Sequence, residues 1–365
     1  MTGIYIHIPF CKSKCPYCDF YSFKADEQTK DSYLKAVLSC LEGCRDKISS
    51  SVDTVYFGGG TPSYFGGERI KEVLSYIKNN YSITPDAEIT VECNPSSVDE
   101  DLVRNLSQAG ANRISMGMQS AVDKERLNLG RLSGREKISE CIRLFRSFGI
   151  DNISLDLMLG IPYQTKGSLS ESIDFVSSMN VSHVSAYMLK IEEGTEFHRL
   201  QDELTLPDED EVCELYLYAV EELEKRGYMQ YEISNFSKKG FESRHNLKYW
   251  HCEEYLGIGP SAHSFLGGKR FYFERDFDSF IKGVPPLPDG NGGDEEEYVM
   301  LALRLNEGLQ NEKYKQRFGR NIDEALFKKA RALEKEGLVR VTTDTVSLTV
   351  KGFLVSNSVI SYLSD

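Results

Sequence analysis

The feature that most constrains this chain is a repeated alternation of apolar strands and amphipathic helices through residues 1–230. Apolar runs that end in turn residues predict six strands: Ile4–Pro9, Thr54–Gly58, Glu88–Cys93, Arg113–Met118, Ile153–Leu159 and Val184–Leu189. Apolar residues at three- and four-residue spacing predict the intervening and following helices: Asp31–Ile48, Glu68–Asn79, Asp99–Ala109, Arg135–Phe148, Ser168–Met179 and Asp208–Arg226. Repeated β-α units imply parallel strands joined by right-handed crossovers, in a doubly wound sheet or in a complete or partial barrel.

A different pattern occupies the last third of the chain. Residues 283–297 are rich in Gly and Pro and then acidic, which predicts a linker or long loop. Three helices and a hairpin, in the order of a winged helix, are predicted after it: Tyr298–Leu305, Glu312–Phe318, Ile322–Glu336, and Leu338–Thr342 with Val346–Thr349. Residues 295–365 carry eleven acidic and eleven basic side chains, so we expect a structural or protein-contact module rather than a DNA-binding one.

The composition indicates the cellular compartment of the protein and excludes some classes of binding partner. The chain has 43 basic and 56 acidic residues and a formal net charge of −13, which argues against nucleic acid as a partner. Its nine Cys, with no signal-like start, predict a reduced cytoplasmic protein. No apolar run approaches the roughly 18 to 20 residues of a membrane helix, so any membrane contact is expected to be peripheral.

The first predicted strand leads into a cysteine motif. Cys11, Cys15 and Cys18 have the spacing C-x3-C-x2-C, with no fourth Cys nearby. Three thiolates on a four-iron cluster leave one iron open to another ligand. The alternative is a zinc site completed by His7 or a distant Cys, although zinc knuckles usually contain two Cys pairs.

Polar and glycine signatures mark the ends of the next strands, where barrel enzymes place their active sites. They are Gly58-Gly59-Gly60-Thr61 after strand two, Glu92 in strand three, Gln119 after strand four and Asp156 in strand five. Taken singly, the glycines could form an ordinary turn, and either carboxylate could be a solvated charge. Their recurrence on one rim favours a binding site.

A second informative stretch is residues 244–252, which contain the only Trp of the chain and two of its six His. Imidazole can bind haem iron, and aromatic rings offer flat apolar faces to a macrocycle. From the residue types alone, a packed loop is the commoner interpretation.

Together these motifs resemble the radical S-adenosylmethionine superfamily, in the branch that contains the oxygen-independent coproporphyrinogen III oxidases and the haem chaperones related to them. The motifs are Y-I-H-I-P-F-C-x3-C-x2-C, G-G-G-T-P, V-E-C-N-P, S-M-G-M-Q-S, D-L-M-L-G-I-P and H-N-L-K-Y-W, and they extend over nearly the whole chain. The resemblance implies an α/β fold: a partial (β/α)6 barrel over residues 1–230, a haem-motif region and linker over 231–290, and a winged-helix-like α+β module over 291–365.

The resemblance also implies roles for individual residues. Cys11, Cys15 and Cys18 would ligate a [4Fe–4S] cluster whose open iron binds S-adenosylmethionine. The residues implied to hold that cofactor are Tyr5, Gly59, Gly60, Thr61, Glu92, Gln119, Arg131 and Asp156. His245 is the leading candidate for haem contact, and the same motif contributes Asn246, Tyr249 and Trp250.

Two departures from the oxidase pattern point to the chaperones. Asp19 and Phe20 follow Cys18, where the oxidases have another Cys two positions after the third ligand. The chain also starts ten residues before Cys11, where the oxidases have a substantial N-terminal segment. We therefore expect a haem chaperone that delivers haem to membrane-bound respiratory haemoproteins. Its expected partners also include an electron donor that reduces the cluster and a second copy of the chain in a homodimer. An oxygen-independent coproporphyrinogen III oxidase and a haem-modifying radical enzyme are the alternatives.

Overall fold

A computed structural model describes residues 1–364. Its centre is six parallel strands that lie side by side in chain order: β1 (Thr2–Ile8), β2 (Val52–Gly59), β3 (Ile83–Cys93), β4 (Arg113–Gln119), β5 (Asn152–Leu159) and β6 (His183–Met188). Strands in chain order are the arrangement of a barrel, whereas a doubly wound sheet reverses direction at a switch point. All six predicted strands are confirmed, and the tertiary structure decides between the two architectures.

Helices follow the strands and cover one face of the sheet. They are α1 (Glu27–Cys44), α2 (Pro62–Phe65), α3 (Gly67–Asn80), α4 (Glu100–Ala109), α5 (Asp123–Asn128), α6 (Arg135–Ser147), α7 (Lys166–Ser178), α8 (Glu196–Arg199) and α9 (Glu209–Lys225). Several begin at a side-chain cap: Asp99 accepts from the backbone N–H of Leu102, and Asp208 accepts from that of Glu211. Alternate strand residues such as Ile4, Ile6 and Ile8 are fully buried against these helices, which leaves the other face for the site.

The barrel stays open because other strands occupy both of its edges. These are β7 (Met229–Glu232), β8 (Asn235–Ser237), β9 (Tyr255–Ile258), β10 (His263–Leu266), β11 (Lys269–Tyr272) and β12 (Leu287–Asn291). β8 pairs antiparallel with β6, and β9 pairs parallel with β1, in one sheet of order β12-β11-β10-β9-β1-β2-β3-β4-β5-β6-β8-β7. The implied partial barrel is confirmed.

The breaker-rich run at 283–297 is not a loop throughout, which corrects the sequence prediction. It contains β12, which pairs with β11 at the sheet edge, and its last residues begin a helix at Glu295. An edge strand tolerates proline because its outward N–H groups have no strand to pair with.

The C-terminal region has the element order of a winged helix. It comprises α12 (Glu295–Ala302), β13 (Leu309–Gln310), α13 (Asn311–Phe318), α14 (Glu324–Lys335), β14 (Val339–Val341), β15 (Thr345–Leu348), α15 (Val350–Leu354) and α16 (Ser356–Ser364), and its sheet order is β13-β15-β14. The last two helices were not predicted. Two remaining helices, α10 (Arg244–Trp250) and α11 (Phe277–Ile281), precede this region. Across residues 1–364, no helix is both long and apolar enough to cross a bilayer.

Candidate functional site

The inner face of the open barrel is polar on every one of its six strands. Strand residues alternate between two faces, so those that do not pack against the helices point inward. The inward set includes Tyr5 and His7, Thr54 and Tyr56, Glu88, Thr90 and Glu92, Arg113 and Ser115, Ser154 and Asp156, and His183 and Tyr187. A polar interior gives the fold a binding lumen that opens at the strand ends.

The cysteine motif forms a loop over one side of this opening. All three thiols are half-buried, and the N–H of Cys18 donates to the carbonyl of Cys15 at 3.1 Å. The Cys11 sulfur lies 3.3 Å from Oγ1 of Thr61, at the end of the glycine turn. Two backbone hydrogen bonds, both 2.8 Å long, hold the turn in place: Gly60 N–H donates to Ile8 at the end of β1, and Thr61 N–H donates to Phe10 at the start of the cysteine loop.

Glycine is required in this turn by geometry. Gly59 has φ +106°, a conformation that favours glycine, and a Cβ there would come within 2.5 Å of the His7 ring. A Cβ on Gly60 would lie 2.8 Å from the carbonyl oxygens of both Ile8 and Phe10. The turn therefore fits closely under the cysteine loop, and its N–H groups are already used within the protein.

Glu92 lies next to the turn, with two donors on its carboxylate. Tyr56 OH donates to one oxygen at 2.8 Å, and the N–H of Gly59 donates to the other at 3.1 Å. Burial raises the pKa of Glu92 to about 7, with a further rise from the Asp156 carboxylate. Tyr56, Gly59 and Arg113 act in the opposite direction. At neutral pH this carboxyl is poised between its two protonation states.

Gln119, at the end of β4, and Arg131 lie close together at the opening. Gln119 has φ +71° and accepts a hydrogen bond from Tyr187 OH at 2.9 Å. Arg131 donates from Nη2 to Tyr17 OH at 3.0 Å. A Cβ on Gly117 would lie 3.0 Å from the Gln119 amide and 3.3 Å from the Arg131 guanidinium. Because Tyr17 lies between Cys15 and Cys18, this contact joins the cysteine loop to Arg131, beside the end of β4.

Asp156 lies deeper in the lumen. It accepts from Ser115 Oγ at 3.3 Å, and burial raises its pKa. Arg113, on the neighbouring strand, is only 2% exposed, and its Nε has no hydrogen-bond partner within residues 1–364. Arg113 therefore lies in a lumen with three carboxyl groups, those of Glu88, Glu92 and Asp156, and forms an ion pair with none of them within the described residues.

His245 lies inside the barrel, not on its surface. It is 1% exposed, its Nδ1 is 2.8 Å from Thr54 Oγ1, and its Nε2 is 2.9 Å from Tyr249 OH. Burial lowers the pKa of its imidazole to about 3, with a smaller effect from Lys248. Both ring nitrogens are therefore engaged in a neutral ring.

The other residues of this motif lie on the same helix, α10, as His245. Tyr249 and Trp250 are half-buried on α10, and the Arg304 guanidinium lies 5.8 Å from the centre of the Trp250 ring. The indole N–H of Trp250 is buried without a partner in the described chain. The backbone N–H of Asn246 is capped by Ser243 at 3.5 Å. The motif thus has its own packed environment at the inner end of the lumen.

Comparison with known proteins places this geometry in a family. Residues 5–176 match the Radical SAM superfamily, and residues 295–355 match the HemN C-terminal domain. The "Heme chaperone HemW" of Bacillus subtilis is 34% identical over 98% of each chain. That of Mycobacterium tuberculosis is 32% identical over 99% of this chain and 94% of the other. This chain belongs to the HemW family.

A solved structure supports the fold of this HemW family member. The coproporphyrinogen III oxidase HemN of Escherichia coli superimposes with a TM-score of 0.85 over 100% of this chain and 90% of the other, at 21% identity. Identity at that level shows a shared fold. The resemblance inferred from the motifs, both to the superfamily and to its haem chaperones, is confirmed.

The residues present fit a cluster better than they fit a single metal ion. Radical SAM proteins carry a [4Fe–4S] cluster with S-adenosylmethionine, and three half-buried thiols beside a close-fitting glycine turn suit that group. Both nitrogens of His7 are occupied, by Tyr5 OH and the Tyr21 carbonyl at 3.1 Å each. No three His, Cys, Asp or Glu side chains within 1–364 converge on one ion.

Sequence reasoning missed the tyrosines that hold the predicted site residues. Tyr56 donates to Glu92, Tyr17 accepts from Arg131, and Tyr187 donates to Gln119. The strand period contained part of this information, because Tyr56 is two residues before Gly58 and so shares its inward face. The contacts themselves join different strands and loops, which one sequence does not specify.

Proposed function

We propose that this protein binds haem and delivers it to haemoproteins, with a [4Fe–4S] cluster and S-adenosylmethionine held at the barrel opening. The observation that carries the proposal is the similarity over nearly the full length of the chain to proteins named as haem chaperones. The finer parts of the proposal concern the residues that hold each ligand, the clients and the location.

At the cofactor site, Cys11, Cys15 and Cys18 ligate the cluster. When bound, the reduced cluster supplies an electron that can cleave the sulfonium of S-adenosylmethionine. The protein's part is to hold and orient that cofactor. The ionised Glu92 accepts from its ribose hydroxyls, because a carboxylate has lone pairs left after the bonds from Tyr56 and Gly59.

The remaining predicted cofactor residues surround the same opening. Tyr5 lies against the Glu92 side, where a Cβ on Gly58 would be 3.0 Å from the Tyr5 ring and 3.1 Å from the Glu92 carboxylate. Gln119 and Asp156 belong to the next two strands, β4 and β5, and Arg131 lies beside Gln119. Since the N–H groups of Gly60 and Thr61 already bond to other backbone groups, we propose that the turn contacts the cofactor through carbonyl oxygens.

The clients, location and assembly are also part of the proposal. We propose that the clients are membrane-bound respiratory haemoproteins, and that the protein acts in the cytoplasm, peripherally at the inner face of the membrane. An electron donor reduces the cluster, and a homodimer is the proposed assembly. Co-purification of a respiratory haemoprotein with the tagged full-length chain, compared with a Cys18→Ser control, tests the choice of client.

The alternative activity is coproporphyrinogen III oxidation, which the shared fold with HemN favours. Phe20 weighs against it, because this side chain is 67% exposed at the position where the oxidase pattern has a further Cys. A phenyl ring offers apolar contact and cannot bind metal or donate a proton. A haem-modifying radical reaction is the third candidate, and a chemically altered tetrapyrrole would reveal it.

One anaerobic experiment separates these activities. The cluster is reconstituted, haem is added, and the complex is mixed with an apo-haemoprotein while the absorbance of the acceptor is followed. A parallel reaction receives coproporphyrinogen III, S-adenosylmethionine and a reductant. We expect haem transfer without decarboxylation. Formation of protoporphyrinogen, with no haem retained, would refute the chaperone proposal.

A further inference from the structure

We infer that His245 is a positioning residue for the S-adenosylmethionine site, acting through Tyr56 on Glu92, and that it is not a ligand of haem iron. This inference rests on the proposed function, in which the protein binds both haem and S-adenosylmethionine, because it assigns different residues of the haem motif to each of them. It assigns the inner part of the motif to the cofactor site.

The first argument is the confinement of the His245 ring. Thr54 and Tyr249 occupy its two nitrogens, and a Cβ on Gly3 would come within 3.1 Å of its Cε1. Iron ligation needs a free nitrogen with open space in front of it. Neither nitrogen meets that requirement in this fold.

The second argument is the anchoring of α10, the helix that carries His245. The backbone N–H groups of Arg244 and His245 both donate to Glu88 at 3.1 Å. Lys248, only 2% exposed, forms an ion pair with the buried Asp53 at 2.8 Å. To bring His245 to the surface, the helix would have to leave buried charged partners unpaired, which is costly. These contacts therefore hold α10 in a fixed position, where it closes the inner end of the lumen.

The third argument is the path from the ring to the cofactor site. The His245 ring stacks on Tyr56, with centroids 5.1 Å apart and planes at 28°. The hydroxyl of the same Tyr56 donates to Glu92 at 2.8 Å. Tyr5 is the third ring of this cluster, 6.3 Å from His245 at 30° and 6.1 Å from Tyr56. Removing the imidazole would give Tyr56 room to turn, and Glu92 would lose an oriented donor.

The experiment measures two affinities on the cluster-reconstituted full-length chain: that for S-adenosylmethionine by equilibrium dialysis, and that for haem by absorbance titration. Tyr56→Phe removes only the hydroxyl that bonds to Glu92, and His245→Ala removes the supporting ring. We expect each to weaken S-adenosylmethionine binding by about tenfold, the effect of one hydrogen bond to a charged group. His245→Gln, which keeps a polar side chain in the cavity, is expected to lose less.

The haem titration distinguishes a His245 that positions Tyr56 from a His245 that ligates haem iron. We expect both His245 variants to bind haem with the wild-type affinity and the wild-type absorbance spectrum. His251→Ala is the matched control for cofactor affinity, because His251 is the neighbouring motif histidine, is partly exposed and bonds to Glu307 at 2.9 Å, away from Glu92. Its affinity for S-adenosylmethionine is expected to be unchanged.

Each result has a defined meaning. A changed haem spectrum in His245→Gln with wild-type cofactor affinity overturns the inference and makes His245 a ligand. If His245→Ala does not fold, Tyr56→Phe tests the effect on S-adenosylmethionine binding and His245→Gln tests the effect on haem binding. A wild-type affinity of Tyr56→Phe for S-adenosylmethionine overturns the inference. Failure of the wild type to bind haem refutes the proposed function, whereas the cofactor affinities still test the positioning role.

Discussion

The protonation of Glu92 should make S-adenosylmethionine binding depend on pH. Burial raises its pKa to about 7, so a proton occupies the carboxyl in half of the molecules near neutrality. A protonated carboxyl has fewer acceptor sites for the ribose hydroxyls, and the cationic sulfonium favours the ionised form. Lower pH should therefore weaken binding.

The size of the effect follows from the ionised fraction. With a pKa of about 7, Glu92 is about one-eleventh ionised at pH 6 and about ten-elevenths ionised at pH 8, so the apparent dissociation constant should be about tenfold higher at pH 6. His7 and His245 stay neutral over this range, because burial lowers their pKa values to about 4 and about 3.

The assay is equilibrium binding of S-adenosylmethionine to the reconstituted protein at pH 6, 7 and 8 under anaerobic conditions. Glu92→Gln is the matched control, since the amide fills the same space and does not titrate. We expect the variant to bind more weakly than the wild type at pH 8, with a flatter pH profile. A wild-type affinity that stays constant from pH 6 to pH 8 would show that Glu92 ionisation does not control the site.

Further predictions concern the stability of the site and of its loop. In urea titrations, the free energy of unfolding of the wild type should fall, relative to that of Glu92→Gln, as pH rises from about 5 to 8. The pKa of Glu92 is raised in the folded state, so the folded protein keeps this proton at pH values where the unfolded chain has lost it. The stability that this difference gives is lost as pH rises through the folded-state pKa. Gly60→Ala should prevent cluster assembly, measured as bound iron and sulfide, because its Cβ would meet backbone oxygens that cannot move aside; normal iron content would contradict this. Arg275→Ala removes a half-exposed ion pair with Asp19 in the cysteine loop, in which Nη2 and Oδ1 are 3.2 Å apart. The substitution should lower the free energy of unfolding by at most about 1 kcal/mol and should speed the loss of the cluster in air. An unchanged rate of cluster loss would show that Arg275 does not hold the loop. Tyr33→Phe removes a buried hydrogen bond to the His7 carbonyl and should lower the free energy of unfolding by about 1 kcal/mol, a loss that Tyr362→Phe at the exposed C-terminal helix should not reproduce.

The sequence by itself determined the features that depend on local patterns. Periods of two and of three to four residues located all six strands and their helices, because each element must bury one face. The cysteine spacing predicted a cluster loop after the first strand. Glu92 and Asp156 were predicted as site residues because parallel strands bring side chains to one rim, and both lie on the inward face of the sheet.

The tertiary structure decided which distant segments meet. Strands β8 and β9 hold the barrel open at its edges, and Tyr56, Tyr17 and Tyr187 connect site residues that are far apart in the chain. The location of His245 shows the difference most clearly. Its residue types alone favoured a packed loop, and the family resemblance implied a haem contact. Neither indicated that Glu88 and Thr54, more than 150 residues earlier, hold it inside the lumen. Such contacts depend on the packing of α10 against strands β2 and β3, which local periodicity does not encode.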